Sequence, residues 1–200
     1  MTRPYFLGLT GSIGMGKSTT AALFREAGIP VWDADAAVHA LYAAGGLGAP
    51  ALADLVPAAL AGGAVDREAL KQAILADPDL LPRIEARIHP LVQADRAAFV
   101  AAHSDAALVV CDIPLLYETG AETALDGVLV VTAPAALQRI RVLARPGMTE
   151  AAFAAILARQ LPDAEKRARA DFLLDSSEGL DRARARVRAL IAQLNEPRHA

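Results

Sequence analysis

The sequence predicts an α/β fold in which a five-stranded parallel sheet is wrapped by helices, and three observations lead to this prediction. A glycine-rich loop lies between an apolar run and a helix-compatible run near the start of the chain. Short apolar runs then alternate with helical segments, which is typical of parallel sheets whose strands are joined by helices. Each apolar run ends at or beside a polar residue, as expected where strand ends line a ligand cleft.

The glycine-rich loop limits the function more than any other feature. Residues 11–18 read GSIGMGKS and satisfy the pattern G-x-x-x-x-G-K-[ST]. Such a loop directs consecutive backbone N–H groups at phosphate oxygens, at the positive end of a helix. The loop has three glycines, Gly11, Gly14 and Gly16. Because glycine has no β-carbon, these positions can adopt backbone angles that a β-carbon would obstruct. The pattern predicts that Lys17 reaches the β- and γ-phosphates of a nucleotide and that the Ser18 hydroxyl binds Mg²⁺.

Five apolar runs are predicted to form the sheet. They are Tyr5–Thr10, Ile29–Trp32, Ala107–Cys111, Val128–Thr132 and Asp171–Asp175. The polar residues at their ends are Thr10, Asp33, Asp112, Thr132 and Asp175. Two helices that wrap the sheet are predicted at Thr19–Ala27 and Leu180–Leu194. Because the carboxyl ends of parallel strands meet at one edge, we expect the five polar residues to line one cleft.

A long helical stretch interrupts the alternation after the second strand. Residues 36–105 show helical patterns and no strand, with Asp66 placed to cap a helix over Arg67–Leu75. A second helical segment is predicted at Pro82–Ala102, and His89-Pro90 is expected to break or start a helix there. A stretch of this length is too long for a connection, so it predicts a helical substrate-binding insert.

A second candidate moving part is a lid at residues 134–166. Within it, Pro146-Gly147 is predicted to separate two short helices. The nucleotide-binding core then comprises residues 1–35, 106–133 and 167–200. We therefore predict a single domain that consists of a core, an insert and a lid.

Carboxylates at the predicted cleft have several candidate roles. Asp33 and Asp35 flank Ala34 directly after the second strand, opposite the phosphate loop. Such a pair can accept a proton from an attacking hydroxyl, hold magnesium-bound water or cap the next helix, and a cap suits Asp35. Asp112 ends the third strand in the manner of a Walker B carboxylate, which binds the metal directly or through water. The predicted metal residues are therefore Ser18, Asp112 and Asp33.

Arginines cluster within the predicted lid. Arg139, Arg141 and Arg145 follow the fourth strand, and Arg141 and Arg145 are expected one turn apart on the same helix face. Guanidinium groups bind phosphates bidentately and stabilise the charge on a transferring phosphoryl group. Each arginine taken alone fits a surface position equally well. Their grouping in one mobile segment favours a role at phosphate.

Composition limits the classes of partner. The formal net charge is −3 and basic residues are mixed with acidic ones, so neither a nucleic-acid partner nor a membrane surface is indicated. No apolar run approaches transmembrane length. We expect no removable signal peptide, because the strand that the phosphate loop requires begins at Tyr5. The single cysteine, Cys111, excludes an internal disulfide. We expect a cytoplasmic protein with small-molecule partners, and nothing in the sequence predicts an oligomeric state.

A phosphate loop indicates a nucleoside triphosphate without indicating the reaction. A guanine-nucleotide switch needs an Asn-Lys-x-Asp element, and the one asparagine of the chain, Asn195, is followed by Glu196. The Leu-Ser-Gly-Gly signature of transporter-type ATPases is also absent from the sequence. These observations favour a small-molecule kinase. The alternatives that stay open are a nucleoside monophosphate kinase and a nucleotide-binding regulator that hydrolyses little.

Several stretches, in order along nearly the whole chain, resemble the dephospho-CoA kinase family. They are Gly8–Thr19, Gly28–Asp35, Asp66-Arg67, Ile88–Pro90, Asp112–Glu118, the pair Arg141 and Arg145, Gln160, Lys166 and Ala170-Asp171. The Asp-Ala-Asp, His-Pro and Pro-Leu-Leu-x-Glu elements are more specific to that family than the phosphate loop is. Two positions depart from the family pattern. Ser12 stands where glycine is usual, and Ser176 stands where Asp-Asn is usual.

The resemblance implies a P-loop NTPase fold and transfer of the ATP γ-phosphate to the 3′-hydroxyl of the dephospho-CoA ribose, the last step of coenzyme A synthesis. ATP and dephospho-CoA are then the partners, Mg²⁺ is the cofactor, and residues 36–105 bind CoA. The implied ATP-binding residues are Gly14, Met15, Gly16, Lys17, Ser18 and Thr19. The implied catalytic residues are Lys17, Asp35 as the base, and Arg141 or Arg145 at phosphate.

Overall fold

A computed structural model of the chain describes residues 3–195. Its sheet consists of five strands: β1 (Tyr5–Thr10), β2 (Val31–Asp33), β5 (Leu108–Asp112), β6 (Gly127–Thr132) and β7 (Phe172–Asp175). A two-stranded hairpin contains β3 (Leu60–Ala61) and β4 (Ala64–Val65). The α-helices are α1 (Lys17–Glu26), α2 (Ala34–Tyr42), α3 (Gly48–Leu52), α4 (Arg67–Ala76), α5 (Leu80–Ala102), α6 (Ala135–Leu143), α7 (Glu150–Leu157), α8 (Asp163–Arg169) and α9 (Leu180–Asn195).

The five-stranded sheet has the strand order β2-β5-β1-β6-β7, and its pairs β1–β5, β1–β6 and β6–β7 are parallel. Strand β1, which leads into the phosphate loop, is therefore central. All residues of β5 and β6 are buried, because helices cover both faces of the sheet. The predicted parallel sheet is confirmed, with each predicted strand found within two residues of its expected bounds.

The core of the sheet is built from alternate strand residues and the apolar faces of two helices. The strand residues are Leu7, Leu9, Leu108, Val110, Leu129, Val131 and Leu174. Phe24 of α1 and Val187 and Leu190 of α9 pack against them. This packing fixes α1, and with it the end of the phosphate loop, against β1.

The chain divides into two compact units. Residues Asp33–Ala102 form one unit, and the chain up to Trp32 together with the chain from His103 onward forms the other. The division falls close to the predicted insert, residues 36–105. Residues 1, 2 and 196–200, which were assigned to the predicted core, lie outside the described residues.

The unit Asp33–Ala102 has its own apolar core, which includes Leu52, Ile84 and Ile88. The predicted cap of α4 is confirmed, since the Asp66 carboxylate accepts hydrogen bonds from the N–H groups of Glu68 and Ala69 at 2.9 and 3.0 Å. A cap of this kind satisfies N–H groups that have no partner within the helix.

Two predictions about this unit are wrong. The stretch is not strandless, because Gly62-Gly63 forms a tight turn between β3 and β4 with φ angles of 57° and 77°. A two-residue hairpin turn needs such positive φ values, which glycine adopts without strain. Pro90 does not end a helix, because α5 continues through it. Pro90 is exposed, so water can reach the carbonyl group that proline leaves without a partner, while Ile84 and Ile88 hold the helix on its buried side.

The predicted helix break at Pro146-Gly147 is confirmed, since it separates α6 from α7. Gly147 has a φ of 74°, a left-handed conformation that favours glycine. In the part of the chain that the structure describes, no helix combines the length and apolar character needed to cross a membrane.

Candidate active site

The phosphate loop connects β1 to α1 and owes its shape to glycines. Gly14 and Gly16 have φ angles of 79° and 94°, in the left-handed region that side chains disfavour. Gly11 has an ordinary φ, so the prediction that it supplies special backbone angles is wrong. A β-carbon at Gly11 would lie 2.6 Å from the carbonyl oxygen of Val131, and close packing on β6 therefore explains this glycine. Ser12 does not have a positive φ, so a serine can occupy this loop position without backbone strain.

Lys17 and Asp112, both predicted site residues, form an ion pair. Lys17 is the first residue of α1, Asp112 is the last residue of β5, and Lys17 Nζ lies 2.6 Å from Asp112 Oδ1. The Asp112 side chain is 4% exposed and the Lys17 side chain 16% exposed. Since β5 is the neighbour of β1, the sheet brings the loop lysine to the strand-end carboxylate. Low exposure strengthens the attraction between the two charges.

Four side chains from other elements hold the phosphate loop. Gln138 Nε2 donates to Ile13 O at 2.8 Å, and Gln160 Oε1 accepts from the N–H of Ile13 at 3.0 Å. Ser176 Oγ donates to Met15 O at 2.7 Å. Gln138 carried no sequence signal, because a glutamine on a predicted helix is indistinguishable from a solvent-exposed one.

Arg141 is the fourth of these side chains. Its Nη1 and Nη2 atoms donate to Ser176 Oγ and Ser176 O at 2.7 and 3.0 Å, and Nη1 also lies 3.5 Å from Gly14 O. The guanidinium group of Arg141 is therefore held beside the loop glycines.

Arg145 does not share a helix face with Arg141, so that prediction is wrong. Helix α6 ends at Leu143, before the turn at Pro146-Gly147, and Arg145 lies beyond its end as an exposed residue. The third arginine of this group, Arg139, is also exposed and pairs with Glu150 at the start of α7. Of the three, Arg141 alone contacts the phosphate loop within residues 3–195.

Glu118 and Lys166 form an ion pair that supports the segment next to Gln160. Lys166 Nζ lies 2.8 Å from Glu118 Oε1, and its side chain is fully buried. The same carboxylate oxygen accepts from the N–H of Leu161 at 2.7 Å. Burial alone would raise the pKa of Glu118, but the contacts from Lys166 and from the Leu161 N–H outweigh it and hold this pKa below its ordinary value.

Asp33 and Asp35 lie at the start of α2, in the unit Asp33–Ala102. Asp33 caps the helix, because its carboxylate accepts from the N–H of Ala36 at 3.0 Å. The prediction that a cap suits Asp35 is wrong, since Asp35 lies inside the helix, two residues after the cap position that Asp33 occupies. Its side chain is exposed, and the structure gives it no hydrogen bond or ion pair within residues 3–195.

Oxygen ligands suited to Mg²⁺ are present, although residues 3–195 contain no cluster of three or more metal-ligating side chains. Magnesium in nucleotide sites is held by one or two protein oxygen ligands together with phosphates and water, so no such cluster is required. Ser18 is exposed in the first turn of α1, and Asp112 ends the neighbouring strand. This donor set fits Mg²⁺ that arrives with a nucleotide.

Comparison with known proteins gives consistent results for sequence and structure. The sequence model of the dephospho-CoA kinase family matches residues 5–182. The dephospho-CoA kinase of Cereibacter sphaeroides is 66% identical over 194 residues, which cover 97% of this chain and 98% of that protein. A crystal structure from Thermus thermophilus has a TM-score of 0.84 at 38% identity, covering 96% of this chain and 99% of that one. Dephospho-CoA kinase from Campylobacter jejuni has a TM-score of 0.70 at 24% identity, covering 96% and 97% of the two chains, which shows a shared fold.

Proposed function

The chain belongs to the dephospho-CoA kinase family, and from this premise we propose which of its residues carry the reaction. It is an ATP-dependent phosphotransferase with a P-loop kinase fold. The enzyme transfers the ATP γ-phosphate to the 3′-hydroxyl of the dephospho-CoA ribose, giving CoA and ADP. The single observation that carries this function is the family match over residues 5–182.

The proposed ATP site is the phosphate loop with the first turn of α1. Phosphoryl transfer passes through a loose transition state, so the protein mainly positions the two reacting oxygens and stabilises charge. Within Gly14–Thr19, backbone N–H groups at the helix N-terminus and the Lys17 ammonium supply that stabilisation. Lys17 is already oriented by Asp112, which supports its role at the β- and γ-phosphates.

We assign the metal position to Ser18 and Asp112, and we propose Asp33 as a residue that supports the metal shell. The Ser18 hydroxyl and the Asp112 carboxylate are the oxygen ligands that Mg²⁺ prefers. Bound Mg²⁺ would neutralise negative charge on the phosphates of ATP. Asp112 would then interact with both the metal and Lys17.

Asp35 is our first candidate for the base that accepts the proton of the 3′-hydroxyl. Its carboxylate is exposed and follows β2 within two residues, while Asp33 is occupied as the helix cap. The hydroxyl loses its proton late in a loose transition state, so a carboxylate suffices as the base if it is well aimed. Asp33 is the second candidate.

Residues 36–105 are proposed to bind the CoA portion of the acceptor, and residues 134–166 to act as the lid. Gln138 and Lys166 tie the two ends of the lid to the loop and to Glu118. The part that closes over ATP therefore lies between them and includes α7. Closure would exclude water, which otherwise competes as the phosphate acceptor. We propose a cytoplasmic location, where ATP is available to the enzyme.

The test is ADP release by the purified enzyme with ATP and Mg²⁺ in the presence of a panel of acceptors. We expect stimulation by dephospho-CoA and none by AMP or shikimate. Mass spectrometry should locate the new phosphate at the 3′ position of the ribose. Turnover of AMP or shikimate without turnover of dephospho-CoA would favour another small-molecule kinase, and ATP binding with no acceptor-dependent turnover would favour a regulator.

A further inference from the structure

Two side chains outside the phosphate loop donate hydrogen bonds to alternate carbonyl oxygens of the loop. Gln138 Nε2 donates to Ile13 O at 2.8 Å, and Ser176 Oγ donates to Met15 O at 2.7 Å. Gln138 belongs to α6 and is 5% exposed, whereas Ser176 directly follows β7. The donors therefore reach the loop from two different elements of the same unit.

A hydrogen bond to a carbonyl oxygen also sets the direction of the next N–H group. A trans peptide unit is planar, and its C=O and N–H bonds point in opposite directions. The carbonyl of Ile13 shares its peptide unit with the N–H of Gly14, and the carbonyl of Met15 shares one with the N–H of Gly16. Within residues 3–195, neither glycine N–H donates to another protein atom.

We propose that Gln138 and Ser176 are positioning residues for phosphoryl transfer. Each holds one loop carbonyl so that the adjoining N–H, of Gly14 or of Gly16, is directed at an ATP phosphate. Donors fixed in this way stabilise developing charge without reorganising during the reaction. This inference rests on the proposed assignment of Gly14–Thr19 to ATP binding.

Neighbouring side chains fix the Ser176 hydroxyl and the loop segment that Gln138 contacts. A serine hydroxyl has one proton, and the Ser176 oxygen already accepts from Arg141 Nη1 at 2.7 Å. The hydroxyl proton is therefore left to point at Met15 O. On the other side, Gln160 Oε1 accepts from the N–H of Ile13, which fixes the peptide unit before the one that Gln138 holds. The loop conformation thus depends on its surroundings as well as on its glycines.

Removing each donor tests the proposal. Gln138→Met removes the hydrogen bond to Ile13 O and keeps the side-chain volume nearly constant. Ser176→Ala removes the hydrogen bond to Met15 O and reduces the side-chain volume slightly. We expect each to lower kcat/KM for ATP about tenfold, less than the loss of about 10² to 10³ caused by removing a direct donor. KM for dephospho-CoA should stay unchanged. Gln193→Met, the same substitution at an exposed glutamine of α9, is the matched control and should behave as wild type.

Gln138→Glu separates positioning from packing. A protonated carboxyl can donate to Ile13 O, whereas an ionised carboxylate cannot. Because burial raises the pKa of a carboxyl, lowering the pH increases the protonated fraction of the introduced group. The ratio of variant to wild-type kcat/KM for ATP should therefore rise as the pH is lowered from about 8 to about 6. A side chain that only fills space would give a constant ratio.

The proposal is overturned if folded Gln138→Met and Ser176→Ala both keep wild-type kcat/KM for ATP, or if the ratio for Gln138→Glu does not change with pH. Lys17→Ala, measured in parallel, identifies which assignment has failed. Wild-type turnover in Lys17→Ala would mean that the loop itself is misassigned. Loss of turnover in Lys17→Ala, with normal Gln138 and Ser176 variants, would mean that only the positioning role is wrong.

Discussion

Lys17 Nζ lies 2.6 Å from Asp112 Oδ1, so the first residue of α1 is tied to the last residue of β5. The pair joins two parts of the phosphate site that lie 95 residues apart in sequence. Asp112 orients the lysine and offsets its charge, because both side chains are largely shielded from solvent. Changing either residue therefore affects the other, and the two variants should fail in different ways.

Lys17→Ala should lower turnover by about 10²-fold or more, because it removes a charge that acts mainly on the transferring phosphate. Steady-state kinetics with saturating ATP and dephospho-CoA measures the effect, and circular dichroism checks the fold. Arg188→Ala, at an exposed arginine of α9, is the control and should retain full activity. Near wild-type turnover in folded Lys17→Ala would contradict the role assigned to this lysine.

Asp112→Asn should raise the Mg²⁺ concentration needed for half-maximal rate by about tenfold or more, because an amide is a poorer metal-site ligand than a carboxylate. A magnesium titration at fixed ATP measures it. Asp105→Asn, at an exposed position before β5, serves as the control. An unchanged magnesium dependence in Asp112→Asn would remove this residue from the metal site.

The sheet could be predicted because its strands carry two signals at once. The first signal is a continuous apolar run such as residues 128–131, which is typical of a strand that is buried on both faces. The second is a polar residue at the end of the run, here Thr132, which marks the edge of the sheet where a ligand binds. The hairpin at Gly62-Gly63 escaped prediction because its strands have two residues each, too few to show a period. Pro90 was misread because packing of neighbouring residues can hold a helix through a proline that faces solvent.

The candidate site was predictable where its residues lie in the loop or at strand ends, as Lys17 and Asp112 do. Contacts between distant segments were not predictable. Gln138 contacts the loop because α6 packs beside it, and Ser176 contacts the loop from the end of β7. The spacing of residues in the sequence gives no information on such tertiary contacts. The prediction that Arg141 and Arg145 share a helix face was wrong for a local reason, because α6 ends before Arg145.

Arg141→Ala should lower turnover and also slightly lower the melting temperature, because it removes hydrogen bonds to Ser176. Arg145→Ala should leave the melting temperature unchanged, since this residue is exposed beyond the end of α6. If lid closure brings Arg145 to an ATP phosphate, the Arg145→Ala variant should also show lower turnover. Kinetics and thermal melts of both variants measure these effects, and a loss of stability equal to the loss of activity in both would mean that they are structural.

Glu118→Gln should destabilise the enzyme by about 3 kcal/mol at neutral pH, because it leaves the fully buried Lys166 without its counter-charge. The pKa of Glu118 is lowered by folding, so its contribution is present above the ordinary glutamate pKa of about 4.3 and is lost as the pH falls through the lowered value.

Denaturant unfolding at a series of pH values measures the difference between wild type and Glu118→Gln. That difference should be largest near neutrality and should shrink in acid. The double variant Glu118→Gln with Lys166→Met should recover part of the stability, since it removes both charges. A difference that does not depend on pH would show that the carboxylate charge contributes nothing.

Asp35→Asn should lower turnover by about 10² to 10⁴ while leaving the melting temperature unchanged, because asparagine keeps the size of the side chain but cannot accept the proton. Because the carboxylate that caps α2 belongs to Asp33, a loss of turnover in Asp35→Asn cannot be attributed to the loss of a helix cap. Asp33→Asn is the matched control for the cap, because asparagine caps a helix about as well as aspartate. A fall in turnover in Asp33→Asn alone, with normal Asp35→Asn, would assign the base to Asp33.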